Sequence, residues 1–175
     1  MPHYAIEARS FPILRFCCHN FWVLKETDSG TTIAELHGLA YDPVHDCTLP
    51  IGFLPVHRLR MFVYAHDETY ARETGARVYS TRMYSNSRTH VVYAGEDARR
   101  RWDVAVRAIP VLNALDLGYP PYGFNLRTPT VNSNSAYRTF GEIMGVTVHA
   151  FSRAYGLGLR SGLIASDRLE ALRFT

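Results

Sequence analysis

Runs of apolar residues with a strand-like period occupy the first half of the chain, and a helical period takes over in the second. The run Ile13-Leu14-Arg15-Phe16-Cys17-Cys18-His19-Asn20-Phe21-Trp22-Val23-Leu24 is rich in aromatic and β-branched residues, as is Thr31-Thr32-Ile33-Ala34-Glu35-Leu36-His37. Glu26-Thr27-Asp28-Ser29-Gly30 between them is turn chemistry, so a hairpin is predicted over 13–41. A loop of those five residues pairs Lys25 with Thr31 and, counted back along both arms, sets His19 opposite His37. The two rings then share a face at about 5 Å between Cβ atoms, whereas a slip of one residue would part them.

A proline-bearing connector over 42–55 leads to three more strand candidates, at 58–65, 77–80 and 89–93, the last two separated by the polar Tyr84-Ser85-Asn86-Ser87 stretch. Helical spacing appears over 96–115, with Trp102, Ala105, Val106, Ile109, Leu112 and Leu115 on one face and Arg99, Arg100, Asp103 and Arg107 on the other. Pro110 is expected to kink or split that helix. A loop over 118–130 precedes a shorter helix from Asn134 to the stop at Gly145. Residues 146–151 alternate as a short strand does, and Gly156-Leu157-Gly158 reads as a turn. The pattern predicts an α+β fold: an antiparallel sheet of four to six strands packed against two or three helices, in one domain over 1–175.

Composition narrows the class. Apolar residues make up 47% and charged residues 20% of the 175, a globular mixture far from that of disordered chains. The net charge of +3 comes from interspersed groups, and the densest basic run, Arg99-Arg100-Arg101, reads as a solvated helix face, so no nucleic-acid partner is expected. No run reaches the roughly 20 apolar residues of a membrane span, and Met1-Pro2-His3-Tyr4 begins no signal peptide. The expected location is the cytoplasm, or outside the cell by a route that reads no cleavable signal. Three cysteines, two of them adjacent, make no disulfide framework.

Candidate chemistry concentrates at Val131-Asn132-Ser133-Asn134-Ser135-Ala136, where small hydroxyl side chains open a helix. Unpaired N–H groups there favour negative charge and suit both a nucleophile and an oxyanion site. Ser133, Asn134 or Ser135 would equally serve as a plain N-cap, since serine and asparagine are preferred there. A serine needs a base, and of the eight histidines His19 and His37 lie in strand-forming, half-buried surroundings, with His149 in reserve. Neither helical i, i+4 histidine spacing nor a Cys-x-x-Cys occurs, so no metal site and no cofactor are expected.

Taken together, His19-Asn20-Phe21-Trp22, Glu35-Leu36-His37-Gly38, and Tyr122-Gly123-Phe124 leading to Asn132-Ser133-Asn134-Ser135 and the Gly145 stop resemble the circularly permuted papain-like fold. The likeness is to the PPPDE peptidases and the lecithin:retinol acyltransferase-like, NlpC-related proteins, and it touches some 45 of the 175 residues. In those families a histidine precedes a cysteine in an Asn-Cys motif at a helix start; here Ser133 stands at the cysteine position. The resemblance implies a hydrolase or acyltransferase acting on an amide or ester bond of a peptide-like or acyl substrate. Ser133 would attack, His19 would take its proton, His37 would orient His19, and Asn132, Asn134 and Ser135 would support the oxyanion site or the loop. Ser135 is the other candidate nucleophile. The alternative is a non-catalytic binding module of the same fold with a degenerate active site. Short domains of this style also resemble delivered toxins of bacterial competition systems, which would imply an immunity or chaperone partner.

Overall fold

A computed structural model describes residues 3–14, 17–78, 86–125, 129–151 and 157–175. The fold is α+β, a seven-stranded sheet carrying helices. The strands are β1 (Tyr4–Leu14), β2 (Cys17–Glu26), β3 (Thr32–Asp42), β4 (Cys47–Leu49), β5 (Arg58–Ala65), β6 (Arg77–Val78) and β7 (Arg88–Gly95). Their order is β6-β5-β3-β2-β1-β7, with β4 on β3, and every pairing is antiparallel except β5 with β6. The helices are α1 (Glu68–Thr74), α2 (Ala98–Asn113), α3 (Ser133–Met144) and α4 (Ser166–Leu172).

Several expectations need correction. The sheet exceeds four to six strands because β1 and the short β4 add to it, and α1 and α4 take the helices beyond two or three. Ile13 and Leu14 end β1 rather than open the first hairpin arm. Residues 146–151 run without strand pairing. Pro110 lies in the last turn of α2, which it does not split, since only the carbonyl of Val106 loses its helical partner there. The arginine run is not a free basic face: Arg99 pairs with Asp103, while Arg101 pairs with Asp97, donates to the carbonyls of Met144 and Gly145, and lies over the rings of Tyr93 and Phe174. Arg15, Phe16, Tyr79, Ser80, Tyr84, Ser85, Gly156 and part of the 118–130 loop lie outside the described residues.

The two faces of the sheet differ, and the alternation along each strand decides which residue goes where. On one face Ile6, Ala8, Trp22, Leu24, Ala34, Leu36, Leu59 and Met61 join Trp102, Ala105 and Leu112 of α2 and Tyr137, Phe140 and Ile143 of α3 in one core. Trp22 stacks on Tyr137 at 4.4 Å and donates its Nε1–H to the Tyr137 carbonyl at 2.7 Å. Gly38 permits the close approach of α3 to β3: a Cβ there would collide with Ala136 and lie 3.5 Å from the Ser133 Cα. On the other face Phe21 and Val23 are buried separately, with Phe11 against them. Among the described residues no helix is long and apolar enough to cross a membrane.

Candidate functional site

The hairpin of β2 and β3 pairs Lys25 with Thr32 rather than Thr31, and beyond an irregularity Leu24 faces Ala34 and Trp22 faces Leu36. The expected register is therefore displaced by two residues over most of its length. A displacement of two leaves each side chain on its face. His19 and His37 consequently still meet, diagonally rather than directly, with His19 Nε2 2.9 Å from His37 Nδ1 and the rings within 9° of parallel. Phe21 stacks on His37 at 4.6 Å between centroids.

Glu35, two residues before His37 on the same strand face, completes a buried chain. His37 Nε2 lies 2.8 Å from one Glu35 oxygen and His66 Nε2 3.1 Å from the other. Burial alone would raise the Glu35 carboxyl, but the hydrogen bonds from His37 and His66 outweigh it and bring the pKa down to about 2. Glu35 is therefore an acceptor only, and the His37 nitrogen facing it carries a proton. Burial, with the charge of His37 in the same direction, holds His19 well below the usual histidine range, so it is neutral near pH 7. One proton lies between the two rings.

The start of α3 is a second polar cluster, on the opposite face of the sheet. Asn132 caps the helix: its Oδ1 accepts from the N–H of Asn134 at 2.8 Å and of Ser135 at 3.4 Å, while Ser135 Oγ accepts from the Asn132 N–H at 3.2 Å. Asn134 Oδ1 accepts from the Asn20 N–H at 3.0 Å and ties the helix to β2. These backbone donors fix the orientation of both side-chain amides, because an oxygen must face each N–H. Both Nδ2 groups are thereby turned outward and converge on a single oxygen, the carbonyl of Leu157, at 2.8 Å from Asn132 and 3.0 Å from Asn134. They also donate to the carbonyls of Gly123 and Cys18, respectively.

Ser133 lies between the two asparagines in sequence and is 5% exposed. Its hydroxyl makes no hydrogen bond to a described residue. It lines a cavity of about 20 Å³, room for one water, whose walls include Cys18, Ile51, Tyr119, Tyr122 and Leu157. None of the described residues lining that cavity is a histidine. Tyr122, 61% exposed, holds a left-handed backbone at φ 57°, a conformation that costs a side-chain-bearing residue energy.

The structure thus brings together two groups, His19 with His37 and Ser133 with Asn132, Asn134 and Ser135, but it does not join them. His19 and His37 occupy odd positions of their strands, the side away from α3, while Cys18, Trp22 and Gly38 occupy the α3 side. The expected transfer of the Ser133 proton to His19 is corrected on that ground, since the sheet lies between them. Ser135 is fully buried, and its hydroxyl bonds the Gly158 carbonyl at 2.9 Å, which makes it a structural cap rather than a nucleophile.

Sequence reasoning missed Glu35 and His66 on one face and Leu157 and Gly158 on the other. Glu35-x-His37 carries a legible signal, because positions i and i+2 of a strand share a face. His149, the reserve histidine, stacks on His90 at 3.9 Å, away from either cluster. Among the described residues no group of His, Cys, Asp and Glu side chains is arranged to hold a metal ion. Comparison with protein-family models, with curated proteins and with solved structures finds no match to this chain.

Proposed function

We propose that the start of α3 is a carbonyl-binding site and that the chain acts as a binding module for peptide-like or acyl ligands, a permuted papain-like domain whose active site is degenerate. The observation that supports this best is the convergence of the Asn132 and Asn134 amides on one carbonyl oxygen beside the Ser133 cavity. Two fixed, uncharged donors recognise a neutral acceptor without the desolvation cost that a charged donor would carry. Catalysis by Ser133 would require a base within about 3 Å of its oxygen.

A second reading, acyl transfer at Ser133, is favoured by one feature: two preorganised donors on a carbonyl oxygen would also stabilise an oxyanion. A fluorophosphonate probe separates the two. The binding module leaves Ser133 no more labelled than surface serines, whereas selective labelling of Ser133 would establish it as a nucleophile and overturn this reading. In a Ser133→Cys chain, the alkylation rate of the new thiol should be the same with His19 or Ala at position 19, because the sheet separates them. Slower alkylation on removal of His19 would restore the dyad.

A further inference from the structure

The carbonyl held by Asn132 and Asn134 belongs to the chain itself, and it is the first of four consecutive carbonyls that α3 binds through side chains. Ser135 Oγ donates to the Gly158 carbonyl at 2.9 Å, and Arg138 Nη1 donates to those of Leu159 at 3.3 Å and Arg160 at 2.8 Å. The Leu163 N–H in turn donates to Thr139 Oγ1 at 3.0 Å. Every one of these contacts reads backbone, none a side chain of 157–160. Such contacts would accept another peptide of the same shape.

One position is nonetheless selective. Gly158 has φ +93°, and a Cβ built there would fall on Asn132 Oδ1 and lie 2.9 Å from Ser135 Oγ. Neither atom is the far end of a mobile side chain. Asn132 is held by two backbone N–H groups and the Gly123 carbonyl, and Ser135 by its own cap bond. A residue other than glycine at the second position of the bound segment would break the cap of α3 to fit.

We propose that this side of α3 is a peptide-binding site that reads the backbone of a segment turning at glycine, and that residues 157–160 occupy it as an intramolecular plug. The proposal rests on the carbonyl-binding reading above and adds the ligand: a peptide whose second residue is a glycine at the turn, bound in competition with the chain's own Leu157-Gly158. Displacing the plug also removes Leu157 from the wall of the Ser133 cavity.

The test uses the full chain and a fluorescent peptide with the sequence of residues 157–163. A Gly158→Ala chain, whose own plug no longer fits, should bind this peptide at least tenfold more tightly than the wild-type chain does. The same peptide with Ala for its first glycine should bind neither. Adding Arg138→Ala should weaken binding about thirtyfold, the equivalent of two hydrogen bonds of about 1 kcal/mol each. Should Gly158→Ala fail to fold, the wild-type chain serves: saturating peptide should speed hydrogen exchange at the Leu163 amide, which is bonded to Thr139 of α3 while the plug is seated. Equal affinities for the two peptides, or unchanged exchange at saturating peptide, overturn the proposal. N-methylacetamide then tells which reading has failed: if it shifts the Asn132 and Asn134 side-chain amide resonances, the carbonyl site stands and only the peptide is wrong, and if it does not, both fall.

Discussion

The two polar clusters lie on opposite faces of one sheet and are built on different physics. In the Glu35–His37–His19 chain the side chains bind one another, and their stability depends on a carboxylate held inside the protein by imidazoles. At the start of α3 the side chains bind backbone, and every group that holds the segment 157–158 is uncharged. A network closed on itself fixes a fold, whereas one whose donors point at main chain can exchange one main chain for another. Charge makes the first cluster sensitive to pH and to truncation. The second should be indifferent to pH and cheaper to alter.

The largest contrast is therefore expected from truncation. Glu35→Ala strips two imidazole N–H groups of their carboxylate acceptor and should cost about 3–5 kcal/mol in urea unfolding, the loss of two hydrogen bonds to a charged group at about 1.5–3 kcal/mol each. Asn134→Ala removes neutral hydrogen bonds and should cost about 1–3 kcal/mol. Equal costs for the two variants would erase the distinction between the clusters.

Acid should divide them next. Glu35 titrates near 4.5 when unfolded and at about 2 in the fold, so its contribution is complete above pH 4.5 and is lost as pH falls toward 2. A depression of that size is worth about 3 kcal/mol. His19 acts in the same direction at higher pH: its buried ring resists protonation, the unfolded chain takes up the proton, and stability falls as pH drops below 6.5. Urea midpoints measured from pH 8 to pH 3 should fall continuously for the wild-type chain, and Glu35→Gln should flatten the part below pH 4.5, leaving the share of Asp42 and Asp97, whose carboxyls are also held down by hydrogen bonds from His45 and Tyr93. Asn134→Ala should lower the curve without changing its shape. A Glu35→Gln chain with the wild-type acid slope would show that another carboxylate governs it.

Much of this arrangement was legible in the sequence where local chemistry decides it. The run of small polar residues before Ala136 and the Gly145 stop place α3 within a residue, although the cap is Asn132, with Ser135 as its capping-box partner, and not Ser133 or Asn134; the apolar face of α2 contains its buried Trp102, Ala105 and Leu112. The meeting of His19 and His37 survived a wrong register because face depends on parity, which a two-residue displacement preserves. β1 was hidden because its core-facing residues Ile6, Ala8 and Ser10 include two small side chains, giving the period of two little hydrophobic contrast. α1 and α4, seven residues each, are too short to establish a helical period. Which face α3 covers is a long-range property, yet a clue was present: Trp22, Leu24, Ala34 and Leu36 form the more apolar side of the hairpin, and a helix covers that side in preference to one bearing Glu35, His37 and His19.

The smallest expected effect concerns Asn20, which lies between Cys18 and Trp22 on β2, 1% exposed, with neither polar atom of its side chain partnered among the described residues. Its backbone N–H, not its amide, is what bonds Asn134. A buried amide without partners costs stability, so Asn20→Leu, similar in volume and apolar, should raise stability by about 1 kcal/mol, or about 2–4 °C in Tm. Asn20→Ala is the control, since it removes the same polar atoms but opens a cavity and should not stabilise. If Asn20→Leu instead destabilises the fold, the amide has a partner that arrives from solution, and Asn20 then belongs with Ser133 among the groups facing a bound water or ligand at the start of α3. That outcome would extend the recognition face of the sheet by one strand position while leaving the histidine face untouched.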